Sequence, residues 1–145
     1  MSKKIKLACP ACATVNQFPQ ERIERDPKCG QCGESLLRAA PIEVDSEALR
    51  KHIQHSGLPV LVDFWAPWCG PCRSFTPTYS SYAGKHAATI RCLKLNTESS
   101  QQAGATFNIR SIPTLALFKD GKEVNRISGA MNESQLRQWT EQQLA

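Results

Sequence analysis

From residue 41 onward, apolar positions switch between the strand and helix periods. Residues 42–44 form a short strand, and Asp45 or Ser46 caps a helix that the pattern carries to Gly57, just ahead of Pro59. The run Val60-Leu61-Val62-Asp63-Phe64-Trp65 closes a strand over 58–65. Apart from Asp63 it is apolar on both faces, the pattern of a central strand covered on both sides. A helix opening near Gly70 and Pro71, which Pro77 should kink, leads to a strand over 89–95. Strand, helix and strand in that order predict parallel pairing with a right-handed crossover.

A further helix is expected over 99–105. Segments 115–118 and 123–128 flank Lys119-Asp120-Gly121-Lys122, whose Asp-Gly centre predicts a two-residue hairpin. Asn132 with Gln135 predicts a capping box opening a last helix to about Leu144. Residues 1–40 show no sustained period and predict a segment without a core of its own, which something must staple.

The 145 residues, 41% of them hydrophobic, suffice for one core of moderate size and exclude two large domains. No stretch approaches the roughly 18 consecutive apolar residues of a spanning helix. Lys3, Lys4 and Lys6 run directly into Cys9 and polar residues, where the apolar core of a secretory signal would stand. The expectation is a cytoplasmic protein with no membrane contact. Residues 1–40 carry seven Lys/Arg against four Asp/Glu, and the remainder eleven against nine. Neither part is basic enough to argue for nucleic acid, and the first segment has Phe18 as its sole aromatic, so no nucleic-acid partner is expected.

Cysteine usage changes the picture most. There are seven, an odd number, and six of them form three Cys-x-x-Cys pairs. In a chain without an export signal this pattern points to metal binding or thiol chemistry rather than a disulfide scaffold. Cys9-Pro10-Ala11-Cys12 and Cys29-Gly30-Gln31-Cys32 are separated by sixteen residues, within the spacing of a four-cysteine zinc site. Two residues between cysteines bring both thiolates to one ion from a tight turn. Four sulfurs close the tetrahedron without room for water, giving one structural Zn²⁺. Two disulfides or two independent redox pairs are the competing readings, and oxidation of the zinc thiolates under stress is a further one.

The third pair, in Trp68-Cys69-Gly70-Pro71-Cys72, falls where the central strand ends and a helix begins. Unpaired N–H groups and the positive dipole end at that helix start stabilise a thiolate on Cys69. A shift of its pKa from about 8.5 to about 7 raises the thiolate fraction at neutral pH from roughly 3% to roughly half. Cys69 is thus the expected nucleophile, and Cys72, a turn further and more shielded, resolves the mixed disulfide. Pro71 suits the first helical turn, where its missing N–H would be unpaired anyway. Cys92, facing the same way as Ile90, is expected to be buried and inert.

Val62-Asp63-Phe64-Trp65-Ala66-Pro67-Trp68-Cys69-Gly70-Pro71-Cys72 resembles the active-site segment of thioredoxins. The resemblance continues through Lys94-Leu95-Asn96, residues 109–114, Gly121 and Gly129, and covers about residues 40–145. With the four-cysteine segment in front, the chain is similar to zinc-containing thioredoxins. It implies an α/β protein: a thioredoxin domain over 39–145, with a central mixed sheet flanked by helices, preceded by a small zinc-ribbon module over 1–38. Asp63 matches the family's buried carboxylate, which takes the proton of Cys72. A lone acid in an apolar strand should indeed have a raised pKa, although a satisfied structural acid is the plainer alternative. Lys94 matches a lysine that tunes that carboxylate, or is simply a strand-end lysine.

The resemblance also implies a cis Pro113 after Ile112, placing Ile112 beside the cysteines to pair with an extended client. Trp65, Pro67, Trp68, Gly70, Pro71, Ile112, Pro113, Gly129 and Ala130 would form the client platform. Trp65 is equally readable as core, and Pro67 stands where many family members carry an acid.

The expected activity is reduction of protein disulfides through Cys69 and Cys72. The resemblance implies a monomer that meets oxidised client proteins and is recycled by thioredoxin reductase. NADPH is used only indirectly, no organic cofactor is bound, and the setting is electron transport and stress response. Thioredoxin-type pairs near −270 mV and isomerases near −180 mV differ by about 90 mV, or roughly 4 kcal/mol for two electrons. A disulfide isomerase or oxidase, and a zinc-stabilised protein-binding subunit, are the alternatives.

Overall fold

The computed structural model describes residues 3–145. Five strands form one mixed sheet: β3 (Ile42–Glu43), β4 (Val60–Trp65), β5 (Arg91–Asn96), β6 (Thr114–Lys119) and β7 (Lys122–Ser128), in the order β3-β5-β4-β6-β7. β4 runs parallel to β5 and antiparallel to β6, and β7 returns antiparallel beside β6. β4 is therefore central, and its first five residues are buried. Its alternation serves two cores. Val60, Val62 and Phe64 pack with α1 (Ser46–Gln54) and α3 (Gln101–Thr106), while Leu61 packs with α2 (Gly70–His86) and α4 (Glu133–Leu144).

The predicted caps form. Asp45 accepts the Ala48 N–H at 2.8 Å, and the side chains and backbones of Asn132 and Gln135 satisfy each other at 2.8 and 3.0 Å. Asp120 and Gly121 both have positive φ, as the two-residue hairpin between β6 and β7 requires. Pro77 lies inside α2, which runs through it as one 17-residue element. α1 stops at Gln54 instead of Gly57, because His55 leaves the helical conformation while its N–H still bonds the Lys51 carbonyl.

The N-terminal segment corrects an expectation. β1 (Lys4–Ala8) and β2 (Val15–Pro19) pair antiparallel, followed by a 3-10 turn over Gln20–Arg25. Ile5, Leu7, Cys9, Phe18, Cys29 and Leu36 make a small core there, with Leu58 packed against it. The segment thus has apolar filling, which it shares with the larger domain. The two parts meet directly. The Gly57 N–H donates to the Lys6 carbonyl at 2.7 Å, and a Cβ on Gly57 would stand 2.5 Å from that of Ile5. Arg91, 2% exposed, donates its guanidinium to the carbonyls of Ala8 and Leu36.

Candidate functional site

The strand-to-helix junction places the Cys-Gly-Pro-Cys pair at the C-terminal end of β4. Cys69 is the N-cap of α2 and Pro71 lies in its first turn. Cys69 and Cys72 are joined as a disulfide, with Cα atoms 5.2 Å apart. The Cys72 N–H donates to Cys69 Sγ at 3.1 Å, so a helix-start amide is already aimed at the atom that carries negative charge after reduction. Cys72 is 1% exposed and Cys69 5%, so both are buried and Cys69 is the less shielded of the two. Trp68, beside it, is 67% exposed, the most open large apolar side chain among the described residues. Pro67 and Gly70 are exposed with it.

The loop before β6 closes on this junction. The Ile112–Pro113 peptide is cis, and the Ile112 carbonyl oxygen lies 3.8 Å from Cys69 Sγ. Gly129, at φ +101°, donates its N–H to the Pro113 carbonyl at 2.8 Å, which brings the exposed Gly129 and Ala130 to the same loop. Thr114 ties the base of the loop through the Ser111 carbonyl and the Ser128 hydroxyl. Eight of the nine residues expected on the client platform lie at this junction or at this loop, Pro113 buried within it. Trp65 is set back. Trp65 is half-buried, with its carbonyl accepting from Thr97 N–H and Oγ1 and its ring beneath Lys94.

Asp63 lies on the α2 face of β4, two residues from Leu61, and is 1% exposed. Burial pushes its pKa up to about 7; the Lys94 charge opposes that rise and Glu43 adds to it. Its Oδ1 has no hydrogen-bond partner. A carboxyl with that pKa is suited to proton transfer near neutrality. Cys92 is buried against the α2 side and pushed up to about 12, chiefly by burial, an environment that keeps a thiol protonated and unreactive.

The other four cysteines gather at the far end of the chain. The sulfurs of Cys9, Cys12, Cys29 and Cys32 all lie within 4.8 Å of one another, with Cys9–Cys32 at 3.5 Å and Cys12–Cys29 at 3.7 Å. Zinc–sulfur bonds of about 2.3 Å in a tetrahedron place sulfurs about 3.8 Å apart, so the cluster fits that ion. The surroundings suit thiolates as well: the N–H groups of Ala11 and Gln31 point at Cys9 and Cys29 at 3.3 and 3.4 Å. Asn16 donates to Cys29 Sγ and accepts the Gly30 N–H. With Asn16 as the main cause, the Cys29 thiol is pulled down to about 6.

Several contributors escaped the sequence reading. Asn16 had no signal beyond its turn-forming type. Arg91 had one, a charge inside an apolar strand run. Its neighbour His52 is 2% exposed and driven down to about 3 by burial, with the Arg91 charge adding to the effect. Burial also lowers Arg91 to about 10, which leaves it charged at neutral pH.

A family model described as Thioredoxin matches residues 40–142. A zinc-ribbon model described as Thioredoxin 2, N-terminal, matches residues 8–34. Thioredoxin C-3 of Corynebacterium nephridii is 41% identical over 138 residues, 95% of this chain and 94% of its own length. Thioredoxin M-type, chloroplastic, of Chlamydomonas reinhardtii is 40% identical over 109 residues, 75% of this chain and 78% of its own. Thioredoxin 1 of Nostoc sp. is 40% identical over 106 residues, 73% of this chain and 99% of its own.

Proposed function

The chain belongs to the thioredoxin family and is a protein-disulfide reductase, and from that premise we propose how its residues divide the work. The observation that carries the reading is the pairing, at the start of α2, of Cys69, whose sulfur accepts a helix-start amide, with the more deeply buried Cys72.

In the reduced protein the Cys69 thiolate attacks one sulfur of a client disulfide. A Cys69–client disulfide forms and the client's other sulfur leaves as a thiolate. Asp63 takes the Cys72 proton, and the Cys72 thiolate attacks Cys69 Sγ. This releases the second client thiolate and leaves the Cys69–Cys72 disulfide seen here. Lys94 tempers the Asp63 carboxylate.

The client's extended backbone pairs with Ile112, whose carbonyl stands beside Cys69. Pro67, Trp68, Gly70, Pro71, Gly129 and Ala130 surround that contact, Pro113 fixes its geometry, and Trp65 supports it from beneath. Thioredoxin reductase returns the pair to dithiols, with NADPH as the remote electron source. Residues 1–38 serve as a zinc module. Cys9, Cys12, Cys29 and Cys32 hold one Zn²⁺, which supplies a closed tetrahedral cross-link between the two knuckles. A chain with four zinc-binding thiolates and one lone thiol to keep out of disulfides, alongside a reducing pair, belongs in a reducing compartment, the cytoplasm.

Insulin-disulfide reduction driven by dithiothreitol tests the reading. Wild type accelerates it and Cys69→Ser abolishes the acceleration. Retained activity in Cys69→Ser, or a measured potential well above that of glutathione, overturns it.

A further inference from the structure

Beside Cys69 the structure holds a shallow cavity of about 220 Å³, lined by Trp68, Thr97, Gly104, Ile109, Arg110, Ser111 and Ile112. Its wall joins the two elements nearest the reacting sulfur: Trp68 precedes Cys69, and the Ile112 carbonyl lies 3.8 Å from Cys69 Sγ. The lining contains one charged group, Arg110, and no carboxylate. Arg110 is exposed, and among the described residues its hydrogen bonding is confined to a long contact, Nε to Asn108 Oδ1 at 3.5 Å.

A second guanidinium stands outside the lining, at the residue before Trp68. Arg73, exposed on α2 directly after Cys72, reaches back to the Pro67 carbonyl at 3.3 Å. Among the described residues neither arginine is in a salt bridge, although Arg126 pairs with Glu123 and Arg137 with Glu141. Position 67 is an uncharged proline, and the one acid near the lining in sequence, the exposed Glu98, lies outside it.

We infer that this cavity is a charge-selecting subsite that favours client disulfides carrying an Asp or Glu about two residues from the attacked cysteine, with Arg110 as its specificity-determining residue. Position follows from pairing. A client strand whose cysteine lies at Ile112 spans about 3.3 Å per residue. A side chain two positions along is therefore about 7 Å away, and Arg110, two residues before Ile112, starts no further than that from it along the chain. Sign follows from the wall, since a carboxylate meets the Arg110 guanidinium there, whereas a lysine meets like charge. The inference rests on the reductase reading and names a client class for that site.

The test uses the full zinc-loaded chain and three synthetic peptides, each with one disulfide. They have Glu, Gln or Lys at both positions two residues from each cysteine. Reduction rates are measured as kcat/KM at low and high salt. A rim ion pair of ordinary strength gives wild type a Glu-over-Lys ratio of about fivefold or more at low salt, collapsing at high salt. Arg110→Glu should bring that ratio to one or below, while Lys119→Glu, the same charge change at the far end of β6, should leave it in place. A wild-type ratio near one with all three peptides reduced overturns the inference and leaves the reductase reading standing, as does an equal shift from Lys119→Glu. Failure of wild type to reduce any peptide overturns the reading and the inference together.

Discussion

Asp63 and Lys94 stand opposite one another in the β4–β5 register, yet the Lys94 ammonium rests 4.5 Å from the centre of the Trp65 ring and forms no salt bridge to the carboxylate. The lysine therefore acts on Asp63 through space. It lowers the pKa without cancelling the larger effect of burial, and the carboxyl is left able to gain and lose a proton near neutrality.

The acid's stability cost has a defined pH window. Its folded pKa is about 7 against an ordinary 3.8. Below 3.8 both states hold the proton. Between 3.8 and 7 the unfolded chain ionises first, so stability falls as pH rises, and above about 7 the full deficit remains. Asp63→Asn should therefore stabilise the oxidised protein by roughly 4 kcal/mol at pH 8 and by little at pH 3.5, as read by urea unfolding. It should also slow resolution of the mixed disulfide by about 10- to 100-fold.

Lys94→Met should raise the Asp63 pKa further, because the ammonium is what holds it down. NMR titration of the Asp63 carboxyl carbon would show the upward shift, and the Trp65 emission should change as the cation leaves its ring. An unchanged titration would reduce Lys94 to a packing role.

Cys72→Ser leaves Cys69 able to attack but removes the thiol that completes the exchange. A client disulfide should then accumulate as a covalent complex with Cys69, visible as a mass adduct that dithiothreitol releases. No adduct should form in Cys69→Ser.

Metal analysis of the purified chain should find one zinc in both redox states, with two additional thiols after reduction of the Cys69–Cys72 pair. Chelation should unfold β1 and β2, since a four-thiolate zinc contributes on the order of 10 kcal/mol in small zinc modules. Hydrogen exchange at the β1–β2 amides would report it.

Arg91→Met should remove the donors to Ala8 and Leu36 and leave those carbonyls without their present partner. A loss of roughly 2–4 kcal/mol is expected in urea. Faster zinc loss to a competing chelator should accompany it, because Ala8 immediately precedes the ligand Cys9.

Legibility followed locality. The caps at Asp45 and Asn132, the Asp120-Gly121 turn and the two-sided strand at Val60 depend on neighbours within a few residues, and the pattern carried them. The four-cysteine cluster was readable because its spacing encodes its chemistry. The cis Pro113 and its place beside Cys69 span 43 or more residues of chain, and only resemblance to a family supplied them. β1 was overlooked although Lys4-Ile5-Lys6-Leu7 alternates, because five residues make a short signal. Arg91 carried a readable anomaly, but its partners lie 55 and 83 residues away. Gly57 looked like a helix stop and instead makes room for Ile5.

That seam determines what can be transplanted. Residues 1–38 are contiguous and end before β3, so they look like a cassette for joining to any domain of this kind. Their docking surface is scattered through the acceptor: a position without a side chain at Gly57, an apolar Leu58 and a guanidinium at Arg91. An acceptor with alanine at the first position would push the cassette away, and one with an aliphatic residue at the last would leave two of its carbonyls dry. The heritable unit is the cassette together with the adjacent Gly57 and Leu58 and the more remote Arg91, and a functional chimera must move them as one.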